Sequence, residues 1–262
     1  MEKDASVISQ SYTHLLLTRF NLQYEEKDTI GIQQDWLEKR CALFETYCLP
    51  SIQKQTCQNF IWILVVDERT PEPYMSRILA YKNRMSQLSV ISVPYYPDTE
   101  VLFHEIGTKY GKNGTILITS RVDNDDCLAE NYIMEVQKLA REGKRGVLSF
   151  PEGKQTFIQD NISYRIRFVD NHFLSRIETQ DFYTVLGFNH RDAGLYGVQS
   201  ISTDQPMWEE IVHSSNLIND YMPIYHYYIR SWQDLMDISK RWCRFQFNRL
   251  RRLLKRLFVV SD

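Results

Sequence analysis

The chain has 262 residues, 43% hydrophobic and 24% charged, a globular composition long enough to bury about 70% of its unfolded surface without disulfides. Its formal charge of −2 sums two unlike parts: residues 240–256 hold eight Lys or Arg and no acid, while residues 1–239 hold 23 basic and 32 acidic side chains. A body charge of about −9 repels phosphate backbones and excludes nucleic acid as a partner.

The first ten residues, MEKDASVISQ, are polar and acidic, unlike the apolar centre of a secretory leader. Short apolar runs then follow at 15–17, 60–66 (FIWILVV), 88–93 and 115–119 (TILIT). Unbroken β-branched runs of this kind read as parallel strands covered on both faces. The longest, 60–66, is far short of the ~18 residues a membrane span needs. Between the first two runs, Leu37, Cys41, Phe44 and Cys48 mark one helix face, with Pro50 at its end. Beyond the fourth run, Tyr132, Ile133, Val136, Leu139 and Ala140 form a second stripe closed by Gly143. Strand and helix in alternation predict right-handed crossovers and a parallel α/β sheet.

From Gly146 the pattern changes. Residues 147–150 predict a strand, and 162–169 (ISYRIRFV) alternate as a half-exposed antiparallel strand does. Gly187, Gly194 and Gly197 mark loops, and a helix is expected to start near Asp204 or Pro206. Residues from about 232 are helical by composition. The five cysteines, Cys41, Cys48, Cys57, Cys127 and Cys243, contain no C-x-x-C pair and read as reduced thiols of a cytosolic protein.

The segment 119–128 (TSRVDNDDCL) places Asp123, Asp125 and Asp126 just past a buried strand and just before a helix, where open α/β sheets bind ligands. Three carboxylates within four residues repel unless they cap a helix, face water or share a cation, and hard oxygen ligands suit Mg²⁺ or Mn²⁺. Polar groups also gather where the first strand ends, in Thr18, Arg19 and Asn21, and where the second ends, in Asp67 and Arg69. Three such strand ends point to a nucleotide pocket on one edge of the sheet. There Asp67 could accept from a base or ribose, and Arg19 either contacts phosphate or base or pairs with Asp123 or Asp67.

The string VDNDDCL resembles the L-D-x-D-D-x-L form of the DxD motif in GT-A glycosyltransferases of the family 2 type. Together with TRFN, WLEKRCALFETYCLPSIQKQ, FIWILVVDERTP and SRVDNDD, it makes residues 1–220 similar to a bacterial group of rhamnosyltransferases. The resemblance implies an α/β, GT-A-like (nucleotide-diphospho-sugar transferase) domain over 1–225, a mixed, mainly parallel sheet flanked by helices. Residues 1–130 would form the nucleotide-binding half, 131–225 the acceptor half, and 226–262 a C-terminal amphipathic helical extension. It further implies transfer of a sugar, rhamnose by the group's label, from a nucleoside-diphosphate donor to a hydroxyl of a cell-surface glycan or lipid-linked acceptor, with inversion and with Mn²⁺ or Mg²⁺ as cofactor.

The residues follow the same resemblance. Thr18, Arg19, Asn21, Asp67, Arg69, Arg121, Asp123 and Asn124 would line the donor, with Asp123 at ribose or metal, Asp125 on the ion and Asp67 at the nucleoside. The base that takes the acceptor proton would be Asp204, with Glu209 or Glu210 in reserve, and Trp208 would be a sugar-stacking platform. His213 would be a third metal ligand, although the group's histidine precedes a glycine where Ser214 stands here. Two other readings use the same residues: a metal-dependent phosphoryl-transfer or hydrolytic enzyme, and a nucleotide-sugar-binding module without catalysis.

In the tail, Trp242, Phe245, Leu250, Leu253, Leu254 and Leu257 recur at spacings near three and four among basic residues. Residues 240–258 therefore read either as a helix lying on an anionic surface, the inner face of the cytoplasmic membrane, or as a terminal helix packing its leucines on the body.

Overall fold

The structure is a computed structural model that describes residues 11–22, 29–94, 97–188, 190–213, 224–229 and 232–258, with the side chains of 190, 191, 224, 244, 245 and 248–258 excluded. The N-terminal ten residues, Ser214 and the tail side chains of Phe245, Leu250, Leu253, Leu254 and Leu257 lie outside it.

The chain opens with β1 (Tyr12–Arg19) and α1 (Gln34–Leu43), which runs through a wide π-helical turn (Phe44–Cys48) into α2 (Leu49–Gln53). The predicted stripe of Leu37, Cys41, Phe44 and Cys48 is fully buried. Pro50, expected to end this helix, instead lies in the first turn of α2, where a missing N–H is tolerated. Then come β2 (Ile61–Asp67), α3 (Tyr74–Ala80), β3 (Leu88–Val93), α4 (Thr99–Tyr110), β4 (Ile116–Arg121), the short β5 (Cys127–Leu128) and α5 (Tyr132–Arg141). Gly143, just past α5, has φ +89°, the left-handed conformation that a glycine adopts freely at a helix end.

The remaining strands are β6 (Gly146–Ser149), β7 (Glu152–Phe157), β8 (Ile162–Arg167), β9 (Leu174–Glu178), β10 (Gln199–Ser200) and β11 (Trp208–Val212), and α6 (Trp232–Phe258) follows. Seven strands make one sheet in the order β10-β6-β9-β4-β1-β2-β3, parallel except for β9. This is the expected mixed, mainly parallel sheet. Leu16, Trp62, Leu64 and Ile118 face one core with Phe44, Ile133 and Val136, while Leu15, Leu17, Ile63 and Val65 face a second with Phe103 and Ile106 of α4. Each such fully buried aliphatic side chain stabilises the fold by about 1.5–3 kcal/mol.

A second sheet, β5-β11-β7-β8, stands beside the first. Its β7 and β8 pair antiparallel, as the alternation in 162–169 predicts. The helix expected from Asp204 or Pro206 does not form: that segment is a loop leading into β11, which pairs with β7 and β5. Tertiary pairing overrides the helix-start pattern, because Trp208, Ile211 and Val212 are buried strand formers.

Candidate active site

The parallel strands β1, β2 and β4 deliver their carboxyl ends to one edge of the sheet. At the end of β2, Asp67 is buried and chelated by Arg69, whose Nε, Nη2 and backbone N–H donate at 3.1, 2.8 and 2.8 Å. Asn21 locks this clasp to β1, accepting from the backbone N–H of Asp67 at 3.1 Å and donating to Thr70 at 2.8 Å. The member turned to solvent is Arg69, so whatever binds here meets a guanidinium before it meets the Asp67 carboxylate.

Three expected donor-lining residues prove to be scaffold. Thr18 is fully buried, donating to the Val122 carbonyl at 2.9 Å and accepting from Trp62 Nε1 at 3.0 Å, which satisfies both buried polar side chains. Asn124 is also buried, tied to the Phe20 carbonyl on one side and to Arg40 at 2.9 Å on the other. Trp208 cannot serve as a sugar platform. One face stacks on Phe173 at 4.6 Å, Gly153 presses against the ring, and Nε1 donates to the Phe150 carbonyl at 2.7 Å. Phe173 in turn stacks on His172 at 4.2 Å, so Trp208 underlies a column of rings that carries His172 to the site.

Beyond β4, the chain turns tightly, with the Asp126 N–H donating to the Asp123 carbonyl. Asp123 is the most open of the three acids, its side chain 38% exposed, and Arg121 grips it at 2.9 Å. Burial favours its neutral form, but the charges of Arg121 and Arg19 prevail and hold Asp123 well below the usual carboxylate range. Asp125 is buried with one oxygen, Oδ2, engaged by both Arg40 and His213 Nε2, the latter at 2.9 Å. Burial again works against its charge, yet His213 and Arg40 keep its pKa low.

Asp126 is different. It is wholly buried, accepts from the Ile211 N–H at 2.9 Å, and lies 2.9 Å from His172 Nε2. Burial first, then repulsion by Asp125 and Asp123, push its pKa well up. Glu210 on β11, hydrogen-bonded by Gln155 at 2.7 Å, is pushed up to about 7 by burial and by Asp126 and Asp125. His172 is driven the other way by burial and favours its neutral form.

Asp123, Asp126 and His172 bring one donor atom each within 4.8 Å of one another. Two carboxylates and a neutral imidazole are a fitting set for a divalent ion, which would relieve the repulsion that raises Asp126. Arg121 Nε, buried without a hydrogen-bond partner, lies beside this set. The expected metal set, Asp123, Asp125 and His213, is brought together only in part: Asp125 and His213 meet, but on an oxygen already paired with Arg40. Of the expected bases, Asp204 is exposed on its loop, where its carbonyl accepts from Arg165 at 2.7 Å. Glu209 pairs with Lys154 at 2.9 Å and with Thr156.

The sequence reading missed His172 and Arg40. Nothing in the spacing around His172 signals a ligand. Arg40 carried a weak signal: it is a cation three residues after Leu37, beside the buried stripe of α1.

An acidic turn past a parallel strand, flanked by polar groups from two other strand ends, defines an α/β protein with a polar ligand site at the carboxyl edge of its sheet. Within that class, the family model described as "Putative rhamnosyl transferase" matches residues 14–223, and the chain belongs to this family of glycosyltransferases. No curated protein matches the chain significantly in sequence. Among solved structures, it is similar to S. aureus TarS residues 1–349, with a TM-score of 0.46 and 12% identity over 77% of this chain and 60% of that one. It is also similar to the same protein in complex with UDP (0.43, 13%, covering 78% and 61%) and with UDP-GlcNAc (0.44, 12%, covering 79% and 60%). The chain thus spans about 60% of the length of these structures.

Proposed function

We propose that the protein transfers a sugar, rhamnose by its family's description, from a nucleoside-diphosphate donor to a hydroxyl of a cell-surface glycan or lipid-linked acceptor, with inversion. The observation that carries this reading is the convergence of Asp123, Asp126 and His172 beside Arg121 at the end of β4. A divalent cation, Mn²⁺ or Mg²⁺, would be held by these three residues and would supply charge neutralisation for the departing diphosphate. Arg121 orients Asp123, and Arg19 and Arg69 offer positive charge to the donor. The new bond forms from the acceptor oxygen to the anomeric carbon as the bond to the diphosphate oxygen breaks with its electron pair. Asp204, the exposed one of the three expected bases, takes the hydroxyl proton.

A second ligand set, Asp123 with Asp125 and His213, is favoured by the 2.9 Å between Asp125 Oδ2 and His213 Nε2. Adjacent ligands about 2.1 Å from an octahedral ion lie roughly 3 Å apart. Mn²⁺-dependent release of nucleoside diphosphate from a panel of UDP-, dTDP- and GDP-sugars tests the function. Asp126→Asn should abolish the metal dependence and the binding of Mn²⁺, while Asp125→Asn should leave Mn²⁺ affinity within about threefold. The reverse pattern selects the second set, and no turnover of any donor rejects the transferase.

We also infer that α6 holds the protein on the inner face of the cytoplasmic membrane. The helix is 27 residues long, about 40 Å, and presents exposed Trp232, Met236 and Phe247, and its last part carries the eight basic residues. No helix among the described residues is long and apolar enough to cross a membrane. Removal of residues 242–262 should abolish co-sedimentation with phosphatidylglycerol vesicles, and equal sedimentation of both forms would refute the anchor.

A further inference from the structure

The first turns of α6 are fastened to the body on one face. Ile238 is fully buried in the core that also holds Phe44 and Trp62, and Arg241 pairs with Asp160 in the turn before β8. Tyr164 of β8, whose phenol pKa is raised first by burial, also feels the charges of Arg241, Asp237 and Asp234. Asp234, Ile238 and Arg241 recur at spacings of four and three, which is one side of a helix.

The opposite side is exposed. Trp232 (76% exposed), Met236, Cys243 and Phe247 (66%) follow at spacings of four, seven and four, and the sequence carries the series on to Leu250, Leu254 and Leu257. Asp234 and Ile238 each stand two residues from Met236, about 200° round the helix axis at roughly 100° per residue. The apolar stripe therefore points away from the body.

Charge decides what covers it. Residues 240–256 hold eight Lys or Arg and no acid. A second copy laid on the stripe would bring two such sets together and be repelled, whereas an anionic lipid surface attracts the cations and takes the apolar side chains into its interfacial layer. The same edge of the molecule carries the Asp204 loop. Tyr227 bridges to Ile166 of β8, the Tyr228 ring centre lies 4.9 Å from Arg165 Cζ, and Arg165 donates to the Asp204 carbonyl at 2.7 Å.

We propose that the stripe from Trp232 to Phe247 lies in an anionic lipid surface, so that α6 is a rigid bracket between bilayer and body and holds β8 and the Asp204 loop at the membrane. The assignment rests on the membrane anchor proposed above and adds the face that makes the contact and the orientation that this face imposes.

Co-sedimentation of the full chain with phosphatidylglycerol vesicles, and hydrogen–deuterium exchange of the bound wild type, test it. Met236→Glu should weaken vesicle binding about tenfold. Met134→Glu, the same substitution at an equally exposed methionine of α5, should cost less than threefold. Binding should slow exchange across residues 232–241 as well as beyond them, and leave α4, on the far face of the main sheet, unchanged. Equal binding by the two variants, or slowing confined to residues beyond 241, would make the tail a loose tether and overturn the assignment while the anchor stands. A lipid-free dimer that Met236→Glu dissociates would give the stripe to a second copy and overturn it likewise. Failure of the wild type to co-sediment would remove the anchor and this orientation with it. The exchange measurement needs no variant, so it decides alone if a substituted chain does not fold.

Discussion

Two buried acidic groups stand at the ends of β2 and β4, on either side of β1, and they are built on opposite plans. Asp67 is matched to its surroundings: Arg69 closes over both oxygens, and Asn21 and Thr70 brace the turn. The turn at 123–126 is overcrowded. Asp123, Asp125 and Asp126 meet Glu210 in a region where burial and mutual repulsion raise two of the four carboxyls. Equal burial thus has two meanings. A saturated carboxylate is part of the scaffold, whereas a surplus of carboxylates is a place that gains from a cation.

The largest effect that would break this comparison is expected at the saturated site. Asp67→Ala removes the buried carboxylate that accepts three hydrogen bonds from Arg69 and anchors the turn after β2. It should lower unfolding free energy by about 3 kcal/mol, read from urea denaturation. Asp126→Asn, by contrast, removes a charge that its neighbours oppose and should leave metal-free stability unchanged or raised. If both substitutions destabilise equally, the two sites do not differ in kind.

The same contrast explains what could be read in advance. The strand at β2 was legible because FIWILVV is apolar on both faces, and the acidic turn because its three acids are neighbours in sequence. Neither Arg40 nor His172 could be found that way: they reach the turn from 85 and 46 residues away, through packing that no local spacing records. The segment 204–212 misled for a related reason. Asp204 and Pro206 imitate a helix start, and the two glutamates of WEEIV hide a strand whose buried Glu210 is hydrogen-bonded by Gln155. Trp208 misled because an aromatic ring before two acids looks like a platform, while its place is beneath the column that carries His172.

A smaller effect, in the dependence of stability on pH, would sharpen the meaning of surplus. Glu210 has a folded pKa of about 7 against an ordinary 4.5, raised by burial and by Asp126 and Asp125, and opposed by His172 and the Gln155 hydrogen bond. A raised carboxyl contributes stability that is fully present below the unfolded value and is lost as pH rises through the folded one. Wild type should therefore lose stability between about pH 4.5 and pH 7 relative to Glu210→Gln, whose amide keeps an acceptor for Gln155. Counted from acid pH, the difference should be about 0.4 kcal/mol at pH 4.5 and about 3 kcal/mol at pH 7, at most ~1.4 kcal/mol per pH unit. Buried His14, lowered to about 3, tilts both proteins the other way, towards loss of stability in acid, and cancels when they are compared. Melting temperatures of the pair across this range supply the measurement. A gap that stays constant with pH would mean that Glu210 ionises normally and that the crowding at the turn does not extend to β11. A gap that opens with pH and closes when Mn²⁺ is added would show that the cation relieves the crowding.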